Sequence, residues 1–563
     1  MRLTIFEATN KGIVRLSRLS VEQALSRAQT FRRKGEIKEA KILLQSILQS
    51  FPGNKRAQKA LSQIEKQNCD NELTRAPEHI IHHLITLYNE GRLSAVVSEA
   101  QNLVKKYPDT FVIWNLLGVA AAQIGELECA INAFKKALHI NPNQAAIYSN
   151  IGNVLKDQGK VHEAIDMFSY ALELKNDHPQ SHNNLGNALK DLNKFEEALA
   201  SYEHALSLKP DYAEAYHNMG TVFSALGKVE DAMKSYNKAL SLRPNYPDAY
   251  DNLGRLHWSL QNFSTAFELM EWRWLSKRKF IGTEFKDDMP IWDGSASKKV
   301  FVWKEQGIGD EIMFSSVFSE LNATSQEVII ECDTRLLPLF ERSFPSDIKF
   351  VEGRNLLQEC NYNCHIALAS LPKHFRTELD DFSKSANGWL KPDYKKVGAF
   401  KRQIQSHKSE TIIGVSWFTN ASGPRSRQRS ISLVNLAKHL GSIPATFVNL
   451  QYGAVAEELL SVKSQTNFNI ISIDDLDLFH DIDGLAALVS ACDIVVSVDN
   501  LTVHLAGALG VDTRVLLPSV ADERWALDRK DSYWYNSLTL YRQQINGEWD
   551  QPLELLINDL KTH

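Results

Sequence analysis

The sequence predicts an α-helical solenoid followed by an α/β region. The first observation is a repeat, in which glycine recurs every 34 residues, at Gly118, Gly152, Gly186, Gly220 and Gly254. The second is a change of pattern at residue 299, after which short apolar segments alternate with helical ones. A fixed period of this length indicates stacked helix pairs. Strands that alternate with helices indicate a mostly parallel sheet.

The same period extends to other positions of the repeat. Alanine and a bulky side chain follow each glycine at fixed offsets, in the pairs Ala130 and Phe134, Ala164 and Phe168, Ala198 and Tyr202, Ala232 and Tyr236, and Ala266 and Met270. Small residues let the two helices of a repeat approach, and the bulky residue fills the space between them. This is the tetratricopeptide pattern. We therefore predict a solenoid over residues 21–280, with a break in phase at 55–76 and an N-terminal extension at 1–20.

A row of asparagines adds a functional expectation to the solenoid. Each stands two residues before a repeat glycine, at Asn150, Asn184, Asn218 and Asn252. This spacing places them on the first helices of successive repeats, which line the concave surface, where amides can bind a peptide backbone. The row resembles the asparagine ladder of eukaryotic O-linked N-acetylglucosamine transferase, which holds acceptor peptides. The alternative is that these side chains only link neighbouring helices.

The second half of the chain predicts two doubly wound domains. Apolar segments that read as strands occur at 300–303, 328–332, 348–351, 412–417, 446–450, 493–497 and 513–517. We place the domains at 299–405 and 406–563, after a linker at 281–298. In such sheets ligands bind beyond the carboxyl ends of the strands.

Three motifs in this half resemble glycosyltransferase family 9, the heptosyltransferase-like enzymes. They are EQGIGDEIMFS, GVSWFTN followed by RSRQRSISL, and DGLAALVSACDIVVSVDNLTVHLAGALGV. The tail ERWALDRKDSYWYNSLTLYRQ resembles the subset fused to tetratricopeptide repeats, which includes bacterial flagellin glycosyltransferases. The resemblance implies a metal-independent GT-B fold of two Rossmann-like domains. The first would face the acceptor, and the second would bind a nucleotide-sugar and end in a returning C-terminal helix.

Asp310 is the candidate catalytic base. It follows Gly307 and Gly309 at a strand-to-helix turn, and the resemblance implies that this carboxylate takes the proton of the acceptor hydroxyl. The alternative is a helix cap, because aspartate is favoured where a helix begins. Glu305 and Glu311 are close enough in sequence to be rival bases.

The candidate donor-binding residues lie at the ends of predicted strands and in a basic loop. Arg429 belongs to an arginine-rich loop that could neutralise a leaving phosphate without a metal, unless the loop is only a solvated surface. The amides at the start of the helix after residue 500 form an anion site. The family usually has Thr or Ser where Asn500 stands. The full predicted donor set is Gly309, Ser416, Asn420, Arg429, Asp499, Asn500, Leu501, Thr502 and His504.

Composition narrows the function. The formal net charge of −5 argues against a general nucleic-acid binder. The apolar runs are too short for a membrane span or a signal peptide, and the six cysteines lack paired metal spacing, so we expect a cytoplasmic protein without a bound metal or cofactor.

The sequence thus predicts an inverting glycosyltransferase that moves a sugar to Ser or Thr of a protein. On the resemblance, the acceptor would be flagellin and the sugar a nonulosonic acid such as pseudaminic acid, carried on CMP; an ADP- or UDP-linked sugar would need the same kind of phosphate site. The alternatives are a glycan or lipid acceptor, and an inactive repeat scaffold.

Overall fold

The computed structural model describes residues 2–9, 12–34, 36–73, 75–276, 285, 288–305, 307–353, 361–385, 387–405, 411–419, 428–466 and 468–562. The chain divides into two compact units, Met1–Asn193 and Lys194–His563. The division falls inside the predicted solenoid, between the two helices of one repeat. The last repeats therefore belong to the same unit as the α/β region.

The first unit begins with an antiparallel hairpin of β1 (Arg2–Thr9) and β2 (Gly12–Ser20), in the stretch predicted as an extension. Ser20 then caps the first helix, because its hydroxyl accepts a hydrogen bond from the Gln23 backbone. Helix α3 occupies most of the predicted break in phase. The helices of this unit are α1 (Val21–Arg33), α2 (Ile37–Ser50), α3 (Lys55–Leu73), α4 (Glu78–Asn89), α5 (Leu93–Lys106), α6 (Phe111–Gln123), α7 (Leu127–Ile140), α8 (Ala145–Asp157), α9 (Val161–Leu174) and α10 (Pro179–Asp191).

The repeat positions pack against one another as their periodicity predicts. A Cβ atom placed on Gly152 would lie 2.6 Å from Cε1 of Phe168, so only glycine fits at this helix crossing. Ala164 and Phe168 are completely buried. In the second unit Gly220 and Tyr236 form the same close contact, with 2.7 Å between the added Cβ and Cε1. The glycine and the bulky residue of each pair are therefore one packing unit.

The second unit starts with five helices of the repeats. They are α11 (Phe195–Leu208), α12 (Ala213–Ala225), α13 (Val229–Leu242), α14 (Pro247–Ser259) and α15 (Phe263–Met270). A 3-10 turn, Glu271–Leu275, follows and docks on the first sheet. There the ring of Trp274 lies 4.9 Å from that of Trp303, and the buried Arg273 forms an ion pair with Glu305.

The first sheet has four parallel strands in the order β5-β4-β3-β6. Its strands are β3 (Lys299–Trp303), β4 (Glu327–Glu331), β5 (Ile348–Val351) and β6 (Cys364–Ala367). The helices around it are α16 (Ile308–Phe314), α17 (Phe318–Thr324), α18 (Leu337–Ser343), α19 (Pro372–Phe375) and α20 (Tyr394–Gln405). The central strands are buried on both faces, which explains their continuous apolar sequence.

The second sheet has six parallel strands in the order β12-β11-β10-β7-β8-β9. Its strands are β7 (Ile412–Ser416), β8 (Thr446–Asn449), β9 (Ile470–Ile471), β10 (Ile494–Val498), β11 (Asp512–Leu517) and β12 (Leu538–Arg542). Its helices are α21 (Leu433–Leu440), α22 (Ala456–Gln465), α23 (Ile482–Ala491), α24 (Leu501–Ala508) and α25 (Asp550–Thr562). The C-terminal half is therefore an α/β region with parallel sheets, as predicted.

The C-terminal helix packs on the second sheet. Leu553, Leu556 and Leu560 of α25 are buried in one core cluster with residues of β7, β10 and α21. The apolar face of α25 is therefore covered by the sheet of its own domain.

Candidate functional site

Each sheet has a point where the strand order reverses. In the first sheet the reversal lies between β3 and β6, and in the second it lies between β7 and β10. The gap at the carboxyl ends of two such strands is the usual ligand site of an open parallel sheet. Asp310 follows β3, Ser416 ends β7 and Asp499 follows β10. The structure thus places the predicted site residues at both reversal points.

The turn between β10 and α24 is held by the side chain of Asn500. Its Oδ1 accepts hydrogen bonds from the Thr502 backbone at 3.0 Å and from the Ser497 hydroxyl at 3.1 Å. Its Nδ2 donates to Ser416 Oγ at 2.7 Å and to the Phe418 carbonyl at 3.0 Å. These four bonds use the amide's hydrogen-bonding capacity. Asn500 therefore joins the two strands that flank the reversal point.

Ser416 and Thr502 complete this buried network. The Ser416 hydroxyl donates to Gln451 Oε1 at 3.0 Å, and the Thr502 hydroxyl lies 3.4 Å from that of Ser416. Ser416 is 1% exposed and Thr502 is 0% exposed. Both buried side chains therefore support the turn between β10 and α24 from the protein interior. Leu501, at the start of α24, is half-buried. Asn420 lies outside the described residues.

Asp310 is the accessible carboxylate among the three candidate bases. Its side chain is 19% exposed, and its Oδ1 accepts a hydrogen bond from Arg524 Nη1 at 2.8 Å. The Glu305 side chain is 0% exposed and is bound by Arg273 and by the Ala369 backbone at 2.9 Å. Glu311 is buried and accepts from the Asp333 backbone at 2.8 Å, and burial raises the pKa of its carboxyl to about 7. Both glutamates are thus held by structural partners.

Arg524 was not predicted from the sequence, and it contacts several residues of this site. It lies in the 3-10 turn Glu523–Trp525, between β11 and β12. Its Nε donates to Asp522 Oδ1 at 2.7 Å, while its Nη1 contacts Asp310 and lies 3.4 Å from His504 Nε2. Only the resemblance of the tail drew attention to this stretch, because no local spacing marks the arginine.

His504 is a neutral member of the site. Burial, and then the charge of Arg524, lower the pKa of its imidazole to about 3. Its Nδ1 lies 3.0 Å from the Tyr535 hydroxyl, and its ring stacks on Trp525. A Cβ atom on Gly309 would lie 3.0 Å from His504 Cδ2, so this glycine permits the close approach of α16 to α24. That contact brings the two reversal points together.

Arg429 supplies a second cation at the reversal point of the second sheet. Its Nη1 lies 3.1 Å from Asp499 Oδ2 in a partly buried ion pair. The Arg429 side chain is 25% exposed, whereas that of Asp499 is 3% exposed. The arginine can therefore meet a ligand, while Asp499 orients it.

The last repeat contacts the segment that carries Arg524. Arg255 of α14 forms an ion pair with Glu523, the residue next to Arg524, and a longer one with Asp251 at 3.4 Å. Arg529 donates a hydrogen bond to Gln261 at 3.1 Å. This segment is consequently fixed by the repeats on one side and by Asp310 on the other.

The asparagine row is partly engaged in contacts within each unit. In the first unit Asn184 is buried and its Nδ2 donates to the Ser149 hydroxyl at 3.5 Å, while Asn150 is half-buried. In the second unit Asn218 and Asn252 are half-buried, and Asn252 Nδ2 lies 3.1 Å from Nε2 of His217. The hydrogen bonds of Asn184 and Asn252 join first helices of neighbouring repeats, as the alternative interpretation expected.

A cavity lies apart from this site. It has a volume of about 510 Å³ and lies between the turn Gly227–Asp231 and the segments around Val520 and Arg542, and none of the predicted site residues lines it. Within the described residues we find no cluster of three or more histidines, cysteines and carboxylates arranged for a metal ion. No described helix is both long and apolar enough to cross a membrane.

The repeat region matches a known family. The family described as "TPR repeat" matches residues 118–159, 152–192, 186–227 and 220–261. The chain contains TPR repeats. Such repeats indicate protein–protein interaction.

The chain is also 28% identical over 278 residues to "Protein FlbA" of Caulobacter vibrioides. The match covers 46% of each protein, so the chain spans about half the length of this relative.

Solved structures of TPR proteins are similar to parts of this chain. They include TTC0263, a thermophilic TPR protein of Thermus thermophilus, with 19% identity, a TM-score of 0.29, and coverage of 32% of this chain and 98% of that one. YrrB, a TPR protein described as having an unusual peptide-binding site, is 23% identical with a TM-score of 0.25, covering 31% and 89%. The first TPR of Spaghetti (RPAP3), bound to an HSP90 peptide, is 32% identical with a TM-score of 0.20, covering 21% and 93%.

Proposed function

We propose that this chain is a metal-independent, inverting glycosyltransferase that uses a nucleotide-sugar and glycosylates a protein held by its TPR repeats. The observation that carries the proposal is that Asp310, at one reversal point, contacts Arg524 beside the neutral His504, while Arg429 lies at the reversal point of the second sheet. A carboxylate beside cationic side chains suits a reaction in which a hydroxyl loses a proton and a phosphate leaves.

The proposed reaction is one displacement. The oxygen of a Ser or Thr hydroxyl attacks the anomeric carbon of the donor, and its proton passes to Asp310. The bond between that carbon and the phosphate oxygen breaks, and the electron pair stays with the phosphate. The arginine Arg429, on the side of the second sheet, compensates the negative charge of the leaving nucleotide. Inversion follows because attack and departure occur on opposite faces of the sugar.

The proposed acceptor and sugar come from the resemblance to repeat-fused transferases, which favours flagellin as acceptor, a CMP-linked nonulosonic acid as donor and a cytoplasmic site of action. The similarity to Protein FlbA supports a flagellum-related role. A solenoid that binds proteins favours a protein acceptor over a glycan or a lipid, because the latter two need no peptide-binding surface.

Intact-mass analysis tests the proposal. Candidate acceptors, with flagellin first, are co-expressed with the chain in cells that make the sugar. We expect a mass increase equal to one or more sugars with the wild type, and none with Asp310→Asn. The matched control is Asp347→Asn, an exposed carboxylate at the edge of the first sheet.

Three results would contradict parts of this proposal. Unmodified protein acceptors together with a labelled glycan or lipid fraction would assign the enzyme to those acceptors. Unchanged masses in every fraction would favour the inactive scaffold. Full modification by Asp310→Asn would remove Asp310 as the base.

A further inference from the structure

We propose that Arg524 binds the phosphate of the donor, and that it holds Asp310 until the donor arrives. The inference rests on the proposed function, because it describes how the same site receives its donor. Arg524 lies between a carboxylate that would otherwise be free to accept a proton and the reversal point where a nucleotide would bind.

The guanidinium of Arg524 is only partly occupied. Its Nε is bound to Asp522 and its Nη1 to Asp310, while no described residue accepts a hydrogen bond from its Nη2. The side chain is 15% exposed. A guanidinium binds a phosphate best through two parallel N–H donors. Nη2 is available for the first bond, and Nη1 becomes available when Asp310 is released.

Arg524 has an anchor that does not depend on Asp310. Asp522 binds both the Nε of Arg524, at 2.7 Å, and its backbone N–H, at 3.4 Å. Glu523 on the same turn is held by Arg255 of the last repeat. Breaking the contact with Asp310 therefore leaves the guanidinium in place, held by Asp522 and partly exposed.

The surroundings of Arg524 suit an anion. His504 Nε2 accepts a hydrogen bond from Arg524 Nη1 at 3.4 Å, and because the imidazole is neutral at neutral pH it does not repel the arginine. Arg429, a second cation, lies at the reversal point of the second sheet and is paired with Asp499.

A consequence for the order of events follows. Without a donor, Asp310 is bound to Arg524 and one of its oxygens is occupied. When a phosphate takes over the Nη1 hydrogen, Asp310 is left beside the anomeric carbon with both oxygens free to accept the hydroxyl proton. The donor thereby prepares the base that will act on the acceptor.

Nucleotide binding to the full chain tests this inference by titration calorimetry with CMP, UDP, GDP and ADP. Arg524→Gln should weaken the best of the four by about 10- to 100-fold, the loss expected for charge-assisted hydrogen bonds. Arg529→Gln, five residues along the same segment, should bind like the wild type. Asp310→Asn should bind about 3- to 10-fold more tightly, because a neutral amide competes less for the guanidinium.

The double variant Asp310→Asn with Arg524→Gln distinguishes competition from a general change of charge. Its affinity should equal that of Arg524→Gln alone, since the gain from Asp310→Asn acts through Arg524. If Arg524→Gln does not fold, as judged by its unfolding midpoint, Arg524→Lys replaces it and should show a smaller loss, because lysine is a point charge.

The binding results test the proposed function, the role of Arg524 and its competition for Asp310 separately. A wild type that binds none of the four nucleotides overturns the proposed function and this inference with it. Equal affinity of the wild type and Arg524→Gln overturns the role of Arg524 alone. Weaker binding by Arg524→Gln without tighter binding by Asp310→Asn overturns the competition for Asp310.

Discussion

The ion pair of Arg273 with Glu305 allows a quantitative prediction. Arg273 ends the repeats and is 1% exposed, while Glu305 follows β3 and is 0% exposed. Two nitrogens of Arg273 donate to the two oxygens of Glu305 at 2.9 and 3.1 Å, and a third bond reaches Glu271 at 2.7 Å. Arg273→Met keeps much of the side-chain volume but leaves the Glu305 carboxylate buried without its cation.

The expected loss is large and depends on pH. Removing one partner of a buried ion pair costs about 3–5 kcal/mol. For a unit of this size, that corresponds to an unfolding midpoint about 4–7 °C lower. Burial raises the pKa of the Glu305 carboxyl, and Arg273 opposes that shift. Without Arg273 the pKa rises further, so stability is lost as pH increases and the variant is most impaired at alkaline pH.

Differential scanning calorimetry of the full chain at pH 5 and pH 8 measures this effect. The double variant Arg273→Met with Glu305→Gln should recover most of the loss, because no buried charge remains. Arg243→Met breaks an exposed pair with Glu214 and should change stability by less than about 1 kcal/mol. A loss below about 1 kcal/mol in Arg273→Met, or a larger loss at pH 5 than at pH 8, would refute the reasoning.

Three further predictions concern the repeats and the first sheet. Replacing the half-buried Asn150 and Asn218 by alanine should weaken capture of flagellin in a pull-down by about 3- to 10-fold, with nucleotide binding unchanged; equal capture would exclude the asparagine row. Glu311→Gln should stabilise the protein by up to about 3 kcal/mol at pH 8 but not at pH 5. Burial raises the pKa of the wild-type carboxyl to about 7, so the folded wild type becomes less stable as pH rises towards that value. Equal shifts of the unfolding midpoint at both pH values would contradict this. Gly152→Val should cost about 1–3 kcal/mol by overpacking, whereas Gly53→Val, in open space, should unfold like the wild type in thermal melts.

The repeats were predictable because the residue at each repeat position is determined by what it packs against within the same repeat. Gly152 and Phe168 occur at a fixed separation since one must be small where the other is large. The same packing need recurs with the repeat, so a single sequence displays it several times. Long apolar segments such as β7 and β10 were also evident, because strands buried on both faces are mostly apolar.

Three strands of the two parallel sheets were not predicted, for physical reasons. β6 is four residues long and includes His365, and β9 has only two residues. β12 lies at the edge of its sheet, and two of its five residues are only half-buried. Short or half-exposed strands lack the apolar run that marks a central strand. Their pairing with β3, β8 and β11 comes from tertiary contacts.

The candidate site was predictable in its location but not in its partners. Glu305, Asp310 and Glu311 lie within seven positions, and all three side chains can act as bases. Their ion-pair partners differ: Arg273 binds Glu305 and Arg524 binds Asp310. Both arginines are distant in sequence from the carboxylates they bind. Such pairings are absent from local spacing, which is why Arg524 was overlooked.

The ion pair between Arg255 and Glu523 also limits how this chain can be recombined. Repeats are often exchanged between proteins as modules, on the assumption that a solenoid ends where its periodicity ends. Here the last repeats share a compact unit with the sheets, and α14 directly supports the turn that carries Arg524. A chimaera with foreign repeats should therefore be joined near Asn193, so that Lys194 and everything after it is inherited from one parent.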